Sequence, residues 1–189
     1  MDLSISTVLF MVVSSHLSNA YPLRSHTIEL SVPNGGRWGE WGREEFCPSG
    51  HANGFTLKVH AAQYGGLIYD DTSLNGIRLH CTDGSIIESS VGGHGSWGKT
   101  ETCPDGRLIS FSLRVVAPLG VDDDTAADSI KFNCEHGSVL TGKSTGWGAF
   151  GPWSETCPKG AICGIKTRID GQKSGDMTGL NDVKFYCCE

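Results

Sequence analysis

The sequence predicts an all-β protein in which three antiparallel sheets surround a common apolar axis, as the faces of a prism do. One phrase built on a Cys-Pro pair occurs three times, at Cys47, Cys103 and Cys157, with intervals of 56 and 54 residues. The 189-residue chain also contains 26 glycines, few helical periodicities and frequent turn signals. Because one repeat cannot bury its own apolar face, three repeats that close on one axis form the natural arrangement.

The first twenty residues have the features of a secretory signal peptide. An apolar block from Ile5 to Val13 is followed by Ser-Asn-Ala before Tyr21, with small residues at the positions that a signal peptidase reads. The block is too short to cross a bilayer as a helix. We therefore expect residues 1–20 to be a signal peptide and residues 21–189 to form a single secreted domain with no membrane insertion.

Each repeat begins with a short apolar segment, followed by glycines and a Trp-Gly pair. The apolar segments cover residues 28–32, 86–91 and 139–141, and the repeats span about residues 27–85, 86–138 and 139–189. The Trp-Gly pairs contain Trp38, Trp97 and Trp147. The second repeat is shorter before its cysteine, so Trp97 aligns with either Trp38 or Trp41. We expect a short strand and a glycine-rich turn in each repeat.

A strand is predicted eight residues after each Cys-Pro cysteine, over residues 55–59, 111–115 and 165–169. Apolar and polar residues alternate in all three segments, and Lys or Arg takes the same outward position each time. This pattern is typical of a strand with one buried face. Thr167 is the one weak core position.

A closing strand is predicted at the end of each repeat, after a variable loop. The phrases "DDTSLNGIRLHC", "DDTAADSIKFNC" and "DMTGLNDVKFYC" end at Cys81, Cys134 and Cys187. Each has Thr nine residues before the cysteine, Asn or Asp six before it and a basic residue three before it. The apolar residues again alternate with polar ones, which places one face of this strand in the core.

The eight cysteines favour disulfides over free thiols or zinc, because they follow a secretory leader, form no CxxC pair and have no histidine at ligand spacing. If each repeat closes on itself, the pairs are Cys47–Cys81, Cys103–Cys134 and Cys157–Cys187, and the remaining two cysteines form Cys163–Cys188. A vicinal Cys187–Cys188 bond is the alternative. Loops of this size contribute about 3 to 4 kcal/mol each in the chain-entropy model.

The formal charge of −6 disfavours a nucleic acid or an anionic membrane as partner. No motif indicates a metal or another cofactor, and we expect neither. We also expect the protein to be a monomer.

The combined motifs "WGEWGREEFCP", "DDTSLNGIRLHC", "CPKGAICGIKTRI" and "FYCC" resemble the vitelline membrane outer layer protein family. The resemblance covers residues 27–189 and includes all eight cysteines. It implies a β-prism of the kind seen in jacalin-like lectins, secretion, and a role in or near the outer coat of an egg. It also implies glycans or coat glycoproteins as partners, a carbohydrate-facing cleft and a weak sugar-transferring activity, without identifying catalytic residues.

Two acidic positions recur in every repeat and are candidate site residues. One lies two residues before the Cys-Pro cysteine and the other two residues before the threonine: Glu45, Glu101, Glu155, Asp70, Asp123 and Asp176. Glycoside chemistry requires two carboxylates roughly 5 to 9.5 Å apart, and related positions can converge at the ends of a prism. In the alternative interpretation, Asp and Thr form a local turn before the strand, and the glutamate is a solvent-exposed residue of a turn. Repetition in every unit favours this interpretation, because a structural requirement recurs in each repeat.

Trp38, Trp97 and Trp147 are candidate glycan-binding residues because an exposed indole face stacks on a sugar ring. The alternative is that they cap the core of the prism. Three functions follow as hypotheses: a structural or carbohydrate-binding component of an extracellular coat or secretion, an enzyme that transfers or hydrolyses amino-sugar oligosaccharides, and a matrix module that binds proteins. A carboxylate pair would favour the enzyme, and exposed tryptophans favour the binding protein.

Overall fold

The computed structural model describes residues 24–60, 73–116, 126–170 and 179–189. Within these ranges the chain forms fourteen strands and no helix. The strands make three antiparallel sheets, which confirms the predicted fold class. The expected signal peptide and the candidates Asp70, Asp123 and Asp176 lie outside the described residues.

Each sheet is built on two long strands of one repeat. They are β4 (Ala52–Val59) with β5 (Leu74–Cys81) in the first sheet, β9 (Leu108–Val115) with β10 (Ala127–Cys134) in the second, and β13 (Ala161–Asp170) with β14 (Gly179–Cys188) in the third. In each pair, the first long strand ends and the second begins at the same end of the prism. We call this end the hairpin end. It contains Val59 and Leu74 of the first sheet.

Short strands from the following repeat complete each sheet. The first sheet receives β6 (Ile86–Glu88), β7 (Ser96–Trp97) and β8 (Glu101–Thr102), and the second receives β11 (Val139–Thr141) and β12 (Ala149–Phe150). The third receives β1 (Ile28–Leu30), β2 (Glu40–Trp41) and β3 (Glu45–Phe46), so that the beginning of the chain closes the prism against its end. The repeats therefore exchange strands, and no sheet consists of one repeat alone.

The core lies on the axis of the prism, where phenylalanines of all three sheets meet. Phe132 contacts Phe55 at 4.9 Å and Phe185 at 5.1 Å between ring centroids, and Phe111 contacts Phe185 at 4.8 Å. All four rings are fully buried in tilted or edge-to-face arrangements, which aromatic pairs prefer. The inward alternation predicted from the sequence thus produces one shared centre.

Four disulfides fasten the end of the prism opposite the hairpin end. They join Cys47 to Cys81, Cys103 to Cys134, Cys157 to Cys187 and Cys163 to Cys188, and no cysteine is free. These are the pairs that closure of each repeat predicts, and the vicinal alternative does not form. Three bridges join the segment that precedes the first long strand of a repeat to the end of its second long strand, and Cys163–Cys188 joins β13 directly to β14.

Candidate functional site

Two exposed tryptophans lie on glycine turns at the hairpin end. Gly39 and Gly148 have positive φ angles of 79° and 74°, and a Cβ atom on either would lie 2.2 Å from a backbone carbonyl oxygen of β13 or of β9. Glycine is therefore required at both positions. Each turn presents the residue that precedes it: Trp38, which is 48% exposed, and Trp147, which is 46% exposed.

The first sheet has a histidine in the corresponding position. Gly95 has a φ angle of 81° and approaches the end of β4 as Gly39 approaches β13, so His94 corresponds to Trp38 and Trp147. Only two of the three sheets therefore present an indole from this turn. The Trp-Gly pairs in the sequence do not reveal that His94 takes this position. The equivalent turns are recognised only by the close approach of their glycine to a neighbouring strand.

Trp97 occupies a different position from the other two candidates. It pairs with Lys58 across the first sheet, as Trp41 pairs with Arg168 in the third and Phe150 with Arg114 in the second. Trp97 is thus equivalent to Trp41, which resolves the two alignments that the sequence left open. The Arg78 guanidinium lies 3.8 Å from the centre of the Trp97 ring, so one face of this indole is already covered.

The three candidate glutamates lie on three different sheets. Glu45 in β3 is opposite Ile165, and Glu101 in β8 is opposite Phe55. Glu155 lies beside β9, where the amide of its neighbour Ser154 donates a hydrogen bond to the Phe111 carbonyl at 2.8 Å. The fold therefore distributes these carboxylates around the prism and does not pair them with one another.

Glu101 instead lines a shallow pocket at the edge between the first and second sheets, where a space of about 280 Å³ includes open solvent. Its floor is apolar and its rim is charged. The lining residues are Phe55, Leu57, Gly98, Lys99, Glu101, Gly142 and Lys143. Gly142 and Lys143 come from the segment after β11, so the pocket depends on the strand exchange and sequence reasoning missed it.

The pocket lies beside Gly98, at a position where the other two prism edges are filled by a side chain. Gly98 donates its amide to the Leu57 carbonyl, as Gly42 does to Thr167 and Gly151 does to Leu113. At Gly42 the space is occupied by Ser90, and at Gly151 by Asn34.

A Cβ atom on Gly98 would meet only the Leu57 carbonyl oxygen, at 3.6 Å, and Gly142 packs directly against the Leu57 side chain. Gly142 thus helps to cover the floor of this edge, where Phe55 is 0% and Leu57 4% exposed.

Hydrogen bonds from β10 hold the wall of the pocket in place. The Gly142 amide donates to the Ile130 carbonyl at 2.9 Å, and the Ser129 hydroxyl donates to the Gly142 carbonyl at 2.7 Å. Two residues further on, Ser144 donates to the Asp128 carboxylate at 2.7 Å, and Thr145 donates to the same carboxylate. The segment that carries Lys143 is thus fixed on both sides.

Asp128 is completely buried and connects two sheets. Ser73, directly before β5 of the first sheet, donates to it at 2.6 Å, and the Arg114 Nε lies 3.0 Å from its second oxygen. The equivalent residues are Asn75 and Asn181, both buried. The sequence pattern marked this position as Asn or Asp, but it did not reveal that the aspartate has an arginine as its counterion.

No group of three or more His, Cys, Asp or Glu side chains in the described ranges is arranged to hold a metal ion. Nor does this part of the chain contain a helix long and apolar enough to cross a membrane.

Comparisons with known proteins agree on family and fold. The model of the family described as Vitelline membrane outer layer protein I matches residues 28–189. The chain is 46% identical over 172 residues to the vitelline membrane outer layer protein 1 homolog of Homo sapiens, which covers 86% of this chain and 84% of that protein. The homolog of Mus musculus is 42% identical over 168 residues, with coverages of 84% and 82%.

Among solved structures, artocarpin, described as a lectin with mannose specificity, is similar with a TM-score of 0.53. The match covers 88% of this chain and 100% of artocarpin at 16% sequence identity. An identity this low supports a shared β-prism fold and nothing further.

Proposed function

The chain belongs to the vitelline membrane outer layer protein I family, and from this premise we propose that it is a secreted, carbohydrate-binding structural component of an extracellular coat or secretion. Four disulfides suit an oxidising extracellular environment. Artocarpin, whose fold is similar, is a lectin with mannose specificity. Its example supports a β-prism as a scaffold for glycan recognition.

The observation that carries this proposal is the exposure of Trp38 and Trp147 at the hairpin end. Each indole is about half exposed and stands on a turn whose glycine fixes the backbone. A rigid aromatic face loses little conformational entropy when it stacks on the C–H face of a sugar ring. Two such faces on different sheets suit a ligand with several sugar units or a glycan-bearing coat protein.

Removal of both indoles tests the proposal. We expect the mature, oxidised Trp38→Ala/Trp147→Ala variant to lose at least about tenfold in affinity for glycans that the wild-type protein selects on an array, because one stacked ring contributes about 1 kcal/mol. Trp153→Ala is the matched control, since Trp153 is 38% exposed but has Lys131 beside its ring at 4.8 Å.

Equal glycan binding by the double variant and the wild type would contradict the role of the two indoles. If the wild-type protein binds no glycan on the array but captures a protein from the native secretion, the alternative function as a matrix protein-interaction module is favoured.

The enzymatic alternative has less geometric support. Glu101 lies in the pocket with two lysines, and the other two candidate glutamates lie on other sheets. We therefore propose binding without turnover. Incubation with amino-sugar oligosaccharides, followed by mass spectrometry of the products, tests this. Transfer or hydrolysis that Glu101→Gln abolishes, while ligand binding is retained, would establish the enzyme instead.

A further inference from the structure

We propose that His51 is a pH-sensitive clasp at the end of the prism opposite the hairpin end, which we call the disulfide end. In neutral solution the clasp holds the second repeat and the N-terminal segment, residues 24–27, against the first repeat, and in acid it releases them. This inference concerns the fold and does not depend on glycan binding. It rests on the partners of the two imidazole nitrogens, on the burial of the ring and on the charges around it.

The His51 side chain contacts the other two repeats at one point. It belongs to the first repeat, directly before β4, and it is 8% exposed. Its Nε2 lies 3.0 Å from the Cys188 carbonyl oxygen of the third repeat, and its Nδ1 lies 3.0 Å from the Arg107 Nη1 of the second. His51 therefore lies where the ends of the three repeats meet.

Only the neutral imidazole can make both contacts. A carbonyl oxygen only accepts and a guanidinium only donates, so Nε2 carries the proton and Nδ1 accepts from Arg107. The protonated ring has a donor on each nitrogen. It keeps the hydrogen bond to the Cys188 carbonyl, but its Nδ1–H then faces the Arg107 donor. Protonation therefore removes the hydrogen bond between the first and second repeats and leaves the bond to the third.

The charges around His51 oppose its protonation. Burial lowers the pKa of His51, and the positive charges of Arg107 and Arg24 lower it further, against the opposite effects of the Cys188 carbonyl and Glu135. The Glu135 carboxylate is already held by Arg107, through Nε at 2.9 Å and Nη2 at 2.5 Å. Two arginines and one glutamate leave one net positive charge beside the neutral ring, and a proton on the ring adds a second.

Other charged side chains at the disulfide end are exposed and have partners of their own. They form the pairs His136–Asp105 at 3.7 Å and Lys159–Glu189 at 3.6 Å, and Asp83 accepts hydrogen bonds from Ser49 and Ser85. None of these contacts involves His51. The charge that a proton places on the ring is therefore not neutralised by them.

The N-terminal segment is tied to the same place through Arg24. Arg24 donates to the Cys47 carbonyl at 3.1 Å and to the Gly50 carbonyl at 2.6 Å, so its guanidinium lies against the loop that leads to His51. Both acceptors are neutral, and they do not offset the repulsion from a protonated ring. We therefore expect this segment to detach when His51 is protonated.

The release occurs on the acid side of the ordinary imidazole range. Because the folded-state pKa of His51 lies below the unfolded value of roughly 6.5, the clasp contributes its full stability above the unfolded pKa. That contribution is lost as the pH falls through the folded pKa. Arg107 lowers the pKa of Glu135, so this carboxylate stays ionised and paired in weak acid. The first and second repeats therefore part between His51 and Arg107, not between Arg107 and Glu135.

An NMR titration of the ¹⁵N-labelled, mature, oxidised protein from pH 7.5 to about pH 4 tests the inference. The ring nitrogen signals of His51 report its protonation directly. We expect the amide signals of residues 24–27 and of Arg107 to shift with the same midpoint as the ring.

Hydrogen exchange at Thr27 measures the release of the N-terminal segment. The Thr27 amide donates to the Cys187 carbonyl at 2.7 Å when the segment is in place. Below the midpoint its protection factor should fall at least about tenfold, because the loss of a hydrogen bond to a charged group has an effect of this order. The Glu135 amide donates to the Arg107 carbonyl at 3.0 Å and should stay protected, because that pair remains intact.

A matched pair of histidine variants identifies the group that titrates. In His51→Gln the side-chain amide can still donate to the Cys188 carbonyl, and the acid-dependent loss of protection at Thr27 should disappear. His80→Gln is the control and should behave like the wild type. Burial and Arg78 lower the pKa of His80 as well, but its Nε2 contacts the Thr56 hydroxyl at 2.7 Å, within the first sheet.

Arg24→Gln tests the same mechanism with His51 in place. Removal of this positive charge should move the titration of the His51 ring to higher pH, since Arg24 lowers the pKa of His51. It should also make Thr27 exchange quickly above and below the midpoint, because the segment has lost its anchor.

The inference is overturned if the His51 ring does not titrate in this range, or if it titrates without a change at Thr27. Persistence of the acid-dependent loss in His51→Gln, or its absence in His80→Gln, would also contradict it. Simultaneous loss of protection at Thr27 and Glu135 would mean that the whole disulfide end unfolds and that no separate clasp exists. None of these results affects the proposed glycan binding at the tryptophan turns.

Discussion

At the scale of single residues, Asp182 is a carboxyl group in an unfavourable environment. Burial raises the pKa of Asp182 to about 6, although the Val183 amide donates to it at 2.8 Å and Arg168 and Lys184 are nearby. The folded-state pKa thus lies above the unfolded value of roughly 3.9. The favourable contribution of the protonated Asp182 carboxyl to the free energy of unfolding is complete below the unfolded pKa, and it is lost as the pH rises through about 6.

Replacement of Asp182 by Asn should therefore stabilise the protein at pH 7.5 by on the order of 1 kcal/mol, and by less at pH 5. Asn keeps the acceptor for the Val183 amide and has no charge to bury. Urea unfolding at the two pH values measures the difference. Asp105→Asn is the control, since the Asp105 side chain is 81% exposed. An unchanged or lowered stability of the Asp182 variant at pH 7.5 would contradict this account.

The contribution of His51 to stability has the opposite pH dependence to that of Asp182. The effect of Asp182 is therefore measured by comparing the single Asp182 variant with the wild type at each pH. The His51 Nε2 donates to the Cys188 carbonyl at 3.0 Å and its Nδ1 accepts from Arg107 at 3.0 Å, because a carbonyl only accepts and a guanidinium only donates. Burial, assisted by Arg107 and Arg24, lowers the pKa of His51. Its contribution is therefore present above the unfolded pKa of roughly 6.5 and is lost as the pH falls through the folded pKa.

At the scale of elements, the Asp128 carboxylate fastens the segment after β11 to β10 and to the first sheet. Ser73, Ser144 and Thr145 donate to it, and Arg114 is its counterion. Removal of this carboxylate leaves a mostly buried guanidinium and three hydroxyl groups without their acceptor.

We expect Asp128→Ala to destabilise the protein by about 3 to 5 kcal/mol and Asp128→Asn to destabilise it less. Asparagine is the residue that the other two sheets use at this position, as Asn75 and Asn181. Chemical unfolding at neutral pH measures both. In the Ala variant, the amide signals of residues 142–145 should also shift, since the wall of the pocket loses its anchor. A loss below about 1 kcal/mol for Asp128→Ala would argue against this role.

The elements themselves were predictable from the sequence, but their partners were not. Alternation at Phe55 to Val59 identified an inward face, and the recurring cysteines indicated the disulfides. The alternation of apolar and polar residues does not indicate which strand is the neighbour in the sheet, so the exchange of short strands between repeats could not be predicted. For the same reason the sequence pointed to Glu101 as a repeated acid but not to its pocket, whose wall contains Gly142 from another repeat.

At the scale of the whole molecule, the prism closes where β1 pairs with β14. Ile28 is opposite Cys187 and Leu30 is opposite Phe185, and the Thr27 amide donates to the Cys187 carbonyl at 2.7 Å. The other two leading strands follow their partners directly: β6 begins five residues after the end of β5, and β11 five residues after β10. The strand β1 has no such short connection to β14, so its pairing joins parts of the chain that are distant in sequence.

From this difference we expect the β1–β14 seam to open more easily than the β5–β6 and β10–β11 pairings. A three-residue strand that detaches from a distant partner regains more conformational freedom than one held by a tight turn. We therefore expect native-state hydrogen exchange to be faster at residues 28–30 than at residues 86–88 and 139–141. Leu30→Ala should accelerate it further, because Leu30 is 1% exposed and its truncation removes core contacts. Ile86→Ala on β6 is the control, since Ile86 is 55% exposed. Uniform exchange at all three leading strands would mean that the sheets separate together, and that the prism opens as a single cooperative unit.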